Sequence, residues 1–319
     1  MAGFDQIIGR ADVNDAMMPD EVIKEIIQTS PEDSVVLTRA RKARMSKKKA
    51  KQPVLATLPD AYWVSGDTGM KQTTKAEWSG INITAEELAV IVPIPDALVD
   101  DTDVPLWDEV RPLLKEAIGK KVDQAALFGT DKPESWPQGI IPAAIAAGNV
   151  AQLGAEKNLA DAFAEVAEMA SVQGASVNAF ATRPGLNWKL RGLKDANGQY
   201  LFGAPTQGGH ASLFGYTLDE VRNGAWDPAV AEGVALDWSK FVVGIRQDIT
   251  YDLFKEGVIS DSDGKVILNL MQQDTKALRV VFRVGFQVAQ PLTRLSKTDS
   301  EGNAKPAYPA GVVTPAASV

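Results

Sequence analysis

The 319-residue sequence contains no cysteine and one histidine, His210. Without thiols there is no disulfide, no thiolate nucleophile and no cysteine-ligated metal. One imidazole excludes a multi-histidine metal site. It also leaves any Ser-His-Asp relay to be built on His210, which sits in the flexible text Gly208-Gly209-His210-Ala211-Ser212. The nucleophile-elbow pattern G-x-S-x-G is missing, as are the P-loop and the dinucleotide fingerprint G-x-G-x-x-G. No apolar run is long enough to cross a bilayer, and the opening MAGFDQIIGRADVND lacks the basic-then-apolar order of a signal peptide. These absences predict no catalytic residue, no cofactor, no metal and no membrane partner in a soluble chain made in the cytoplasm. A net charge of -8 argues against a protein that grips nucleic acid over its whole surface.

What remains is an ordinary globular composition in a chain long enough for roughly two domains. Its most informative stretch is residues 75–140. Trp78, Ile81, Ile83, Val90, Val92 and Ile94 are aromatic or β-branched, and Pro93 and Pro95 forbid a helix, so 78–96 reads as extended chain. Asp100, Asp101, Thr102 and Asp103 are candidate N-caps rather than a metal cluster, with Pro105 suited to a first helical turn. Leu106, Val110, Leu113, Leu114, Ala117, Ile118, Val122 and Ala125 then recur at helical spacing. Gly129 suits a left-handed stop. Pro112 predicts a bend or a late start. Leu113, Leu114, Ile118 and Val122 are expected to face the core.

A strand with an extended excursion, an acidic V-D-D junction and a long helix ending K-K-V-D-Q-A-A-L-F-G-T, followed by Pro137, Gly139 and Ile140, resembles the major capsid proteins of tailed bacteriophages. Further on, a helix over 157–174, a strand over 176–182 and a helix LNWKLRGLKD precede Asp195-Ala196-Asn197-Gly198-Gln199-Tyr200-Leu201-Phe202 and Leu213-Phe214-Gly215. That order is similar to the family's axial domain, although Ala196 and Asn197 depart from its commonest spelling. The resemblance implies an α+β, Hong Kong 97-type major capsid fold. It divides the chain into an N-terminal arm (1–52), an extended loop (53–92), a peripheral domain with a spine helix (93–154), an axial domain (155–265), a return to the peripheral domain (266–295) and a C-terminal tail (296–319).

Within that division the arm is expected to hold a short amphipathic helix at Val22, Ile23, Ile26 and Ile27 and an extended piece at Val35, Val36 and Leu37. Gly66, Asp67, Thr68 and Gly69 supply turn chemistry for the loop. Residues 237–246 and most of 276–288 read as strands. The tail, rich in Pro, Gly, Ala and Ser, reads as a flexible or poorly packed end.

The same resemblance implies a structural subunit that assembles into hexamers and pentamers of an icosahedral shell around double-stranded DNA, within the virion, after assembly in the host cytoplasm. An encapsulin-type nanocompartment shell is the alternative; a cytoplasmic hydrolase with an unrecognised site is a distant third. Lys71, Lys75 and Trp78 are expected inter-subunit contacts of the loop. Some family members join a loop lysine to a neighbour's asparagine, for which Lys71 or Lys75 and Asn269 with Asp274 are the candidates. The basic run Arg39, Arg41, Lys42, Arg44, Lys47, Lys48, Lys49 and Lys51 either touches scaffold or DNA phosphates or pairs with an acidic neighbour. The lack of interleaved aromatics favours the second. The segment before the loop is shorter than a fused scaffolding domain and begins at Met1, so a separate scaffolding protein, or none, is expected, together with a portal.

Overall fold

The computed structural model describes residues 32–64, 69–101, 106–154, 158–194, 199, 212–261, 263–296 and 306–316. A short helix α1 (Val35–Arg39) and strand β1 (Arg41–Arg44) lead into β2 (Lys49–Thr57) and β3 (Glu77–Thr84), which pair as an antiparallel hairpin. β4 (Glu86–Pro95) and α2 (Asp96–Asp101) precede the long helix α3 (Leu106–Asp123). α3 runs through Pro112, widens into one π turn over Gln124–Phe128, and stops at Gly129 with φ 75°, as its sequence predicts. Gly139 packs so closely on this end that a Cβ there would lie 2.4 Å from the Gly129 nitrogen.

The chain continues through α4 (Ile140–Ala146), β5 (Val150–Gln152), α5 (Leu159–Val172), β6 (Ala179–Thr182) and α6 (Leu186–Arg191). Asn158 starts α5 by accepting from the Asp161 amide at 2.9 Å. Then come β7 (Ser212–Leu213), β8 (Tyr216–Glu220), β9 (Gly233–Leu236), a 3₁₀ turn (Trp238–Lys240) and β10 (Phe241–Phe254). A small hairpin of β11 (Val258–Ser260) and β12 (Val266–Asn269) leads to β13 (Thr275–Val288), and β14 (Ala310–Thr314) follows.

Two sheets organise these strands. The first has the order β1-β10-β13-β4, with β1 parallel to β10 and the others antiparallel. β4 is its edge, so Pro93 and Pro95 are tolerated there despite lacking amide donors. The second has the order β5-β14-β9-β6-β8-β7. Leu114, Ile118 and Val122 of α3 pack with Val243, Val280, Phe282 and Phe286 of the first sheet and with Val234 and Val312 of the second. On the far face of the second sheet, Phe163 and Val166 of α5 pack with Phe180, Ala235 and Val313. β9 and β14 are thus apolar on both faces because both faces are covered.

A buried carboxylate ties this core to the N-terminal side of the chain. Asp123, with no exposed surface, accepts from Ser34 Oγ (2.5 Å), the Val35 and Val36 amides (3.2 and 3.1 Å) and Asn223 Nδ2 (2.7 Å). It therefore satisfies orphan amides at the start of α1 from across the fold. Burial pushes the Asp123 carboxyl above the ordinary carboxylate value, and the four donors act against that push.

Several expectations need correction. Val35, Val36 and Leu37 are helical, not extended, because Ser34 caps the turn by accepting from the Leu37 amide and Asp123 takes up the amides of Val35 and Val36. Leu113 does not face the core: it is 44 % exposed, because the buried stripe follows Leu114, Ile118 and Val122 at i,i+4 and Leu113 lies one position off it. The hairpin runs from Lys49 to Thr84, whereas most of 86–92, read as the loop's second limb, is paired with β13. Residues 310–314 are not a loose tail. Ala310, Gly311, Val312 and Val313 are buried between β5 and β9, and Asn149 Nδ2 donates to the carbonyls of Tyr308 and Ala310 at 3.2 and 3.0 Å. Small and β-branched residues that look like linker text are what a doubly covered strand needs.

The expected helix at Val22–Ile27, the turn at 66–68, Thr102, Asp103 and Pro105, the glycine-rich loop with His210 and most of the 195–202 motif lie outside the described residues. So do the side chains of Asp100 and Asp101.

Two outcomes follow for stability. Asp123→Asn turns an NH₂ group onto partners that all donate, so urea unfolding should register a loss of about 3 kcal/mol. Truncation after residue 305 removes β14, whose two fully buried valines alone are worth about 3–6 kcal/mol. The shortened chain should lose its soluble, cooperatively melting form, as read by circular dichroism of the soluble fraction.

Candidate assembly surfaces

The β2–β3 hairpin stands on the first sheet at one place. Gly244 of β10 and Gly285 of β13 are direct cross-strand partners. A Cβ on either would come within 2.8–2.9 Å of Ile83 Cγ2, and one on Gly285 would lie 2.6 Å from the Thr84 carbonyl oxygen. This facing pair of glycines lets the base of the hairpin lie flat against the sheet, where Ile83, Met45, Ala85 and Val242 form a small separate core.

Away from this seat the hairpin has little to lean on. The Leu292 amide donates to the Leu55 carbonyl at 3.2 Å, and Arg294 bonds Asp60 and the Pro59 carbonyl. Asp60 N donates to Thr74 Oγ1 at 2.9 Å, joining the two limbs. Beyond that, Trp63 is fully exposed, Met70 is 91 % and Trp78 69 % exposed, with Tyr62 and Val64 also open to solvent. A two-stranded ribbon carrying so much apolar surface is not self-sufficient.

The three loop residues singled out from sequence share one limb. Lys71 is exposed, Trp78 lies opposite Leu55 in the ladder, and Lys75 forms an ion pair with Glu77. The pairing raises the Lys75 ammonium pKa and lowers that of the Glu77 carboxyl, yet both groups are fully solvated, so the pair adds little stability. Asn269 ends β12, and its amide donates to Gln272 Oε1 within its own turn at 3.0 Å; Asp274 follows with φ 42°.

The basic run is folded structure rather than a free arm. Arg39 pairs with Asp219 at 2.7 Å and Lys48 with Glu86 at 3.1 Å. Arg41, Lys42, Arg44, Lys47, Lys49 and Lys51 are exposed and form no ion pair among the described residues. β1 runs along β10 with Lys42 opposite Val243 and Arg44 opposite Ile245. Lys42 and Arg44 line a groove of about 700 Å³ between α1, β1, α3 and β10, joined there by Lys115 and Arg246. Sequence reading missed those two cations, since nothing local links them to the run. It also missed the β11–β12 hairpin, where Val258, Val266, Ile267 and Met271 are exposed. The alternation V-I-S and V-I-L-N is the signal that could have found it.

Residues 14–292 match a family model described as the phage capsid family. The chain is 25% identical over 296 residues to the major capsid protein of Staphylococcus phage 80alpha, covering 86% of this chain and 82% of that protein. A solved chain from Microbacterium phage Oxtober96 is 36% identical and superposes with a TM-score of 0.82, covering 97% of this chain and 100% of that one. A chain from Mycobacterium phage Cain is 32% identical with the same TM-score, over 98% and 100%.

The glycine seat gives a sharp expectation. In Gly285→Ala the new methyl meets the Thr84 backbone rather than a movable side-chain end, so the loss should be about 1–3 kcal/mol. Hydrogen exchange should quicken at Ile83, Thr84 and Ala85 while the second sheet keeps its protection.

Proposed function

This chain belongs to the phage capsid family and is a structural subunit of a bacteriophage capsid, and from that premise we propose how its parts serve the shell. The fold is of the Hong Kong 97 type. The β2–β3 hairpin with its excursion is the extended loop that lies over the next subunit. The four-stranded sheet with α3 as spine helix is the peripheral domain, and the six-stranded sheet with α5 is the axial domain at capsomer centres. Subunits form hexamers and pentamers in the host cytoplasm, around a separate scaffolding protein or none, with a portal and finally double-stranded DNA as partners. The chain has no catalytic task.

One observation carries this reading: Trp63, Met70 and Trp78 project on a ribbon that its own chain leaves uncovered. Each such side chain is worth roughly 1.5–3 kcal/mol once buried, so a neighbour's surface is the stabilising environment they lack. Repeated around a closed shell, contacts at or above the standard size of about 1,600 Å² would hold the particle.

Electron microscopy of the purified protein tests it, with closed shells expected and only small soluble species overturning it. Particles filled with protein cargo would point to a nanocompartment instead. In the Trp63→Ser, Met70→Ser double variant the subunit should fold with unchanged circular dichroism. Its shells should dissociate at clearly lower urea than the parent's, by a loss of about 3–6 kcal/mol per subunit.

A further inference from the structure

The groove between α1, β1, α3 and β10 brings together cations from three elements far apart in sequence: Lys42 and Arg44 from β1, Lys115 from α3 and Arg246 from β10. All four are exposed. Two carboxylates share the groove. Asp33 accepts from Lys115 at 2.7 Å, in a pair with both side chains more than half exposed, and Asp248 accepts from the neighbouring Ile249 amide at 2.9 Å. Four cations against two anions leave a positive groove on a chain whose net charge is -8. The apolar lining lies deeper: Met45 and Phe282 are buried, and Leu37, Ile245 and Ile249 are half-buried. A ligand therefore meets charge first. The exposed cations of Arg41, Lys47, Lys49 and Lys51 continue in chain beyond the groove, which suits a polyanion longer than the groove itself.

We propose that this groove seats the phosphate backbone of double-stranded DNA, with Lys42, Arg44, Lys115 and Arg246 as the contacts. The inference rests on the shell reading above, which supplies the nucleic acid. Among the described residues no exposed aromatic lines the groove, so the contact is to phosphates and carries no sequence preference. An acidic peptide would also be drawn by the charge, but its affinity depends on an apolar floor that is mostly withdrawn here.

The test is fluorescence anisotropy of a labelled random-sequence DNA duplex titrated with the full-length protein at several salt concentrations. The parent should bind, with affinity falling steeply as salt rises. In Lys115→Gln, Arg246→Gln the slope of log affinity against log salt should become shallower by about 1.8, since each lost phosphate contact removes about 0.9. Arg246→Gln alone should give about half that change, so a folding defect in the double variant, visible in its melting curve, leaves the idea testable. Lys71→Gln, Lys75→Gln at the hairpin should leave the slope unchanged. No duplex binding, or equal slopes in parent and groove variants, overturns the proposal. Binding of polyglutamate but not duplex to the groove overturns it in favour of an acidic peptide. Micrographs of the same samples separate the two readings: shells without groove binding refute only the DNA seat, and absence of shells refutes the shell itself.

Discussion

A carboxylate with no access to water holds the architecture in register. Asp123 sits where α3 passes into its π turn, and its two oxygens are shared among the start of α1, Ser34 and Asn223 in the chain after β8. Each partner is a donor fixed by its own element, so three pieces of chain must arrive together before the carboxylate is satisfied. That requirement fixes the azimuth of α3, and hence which of its residues reach both sheets. Leu114, Ile118 and Val122 turn inward and Leu113 outward as a result. The same knot sets α1 where β1 can add to β10 as a parallel edge.

From that junction the molecule divides into a part that is complete and a part that is not. The two sheets with α3 and α5 bury their apolar faces within one chain. The β2–β3 hairpin does so only at its base, over the Gly244 and Gly285 pair, and the small β11–β12 hairpin presents valines and Met271 to solvent. A subunit built this way is stable enough to exist before it meets its neighbours, and still gains by meeting them. The division follows from where glycine and branched residues fall, since the seat needs backbone against backbone while the free ends need surface to offer.

Local signals were legible. α3 with its stop at Gly129, α5 with its Asn158 cap, and the strands of 241–246 and 275–288 follow from periodicity, caps and β-branched content. The loop ribbon was legible too, although its pairing begins four residues earlier than expected, within the basic run. What escaped depended on partners distant in sequence. Residues 35–37 become helical because of a carboxylate nearly ninety positions away. Residues 310–314 become strand because β5 and β9 leave a slot between them. Lys115 and Arg246 join the basic run only through the packing of α3 against β10. No window of neighbouring residues contains that information.

The position of β14 has a consequence for how the subunit is made. β5, β6, β8 and β9 are all synthesised by Leu236, yet the sheet they belong to is split until Ala310–Thr314 arrives to pair in parallel with β5 and antiparallel with β9. Until then two strand edges stand unpaired, and the segment that closes them is separated from β9 by the whole of β10 to β13. The sheet therefore closes only after the ribosome has delivered almost all of the described chain. A nascent or prematurely terminated product cannot present the finished surface to its neighbours. In a particle built from many identical copies, that delay acts as an inspection step, admitting only chains whose translation ran past β14.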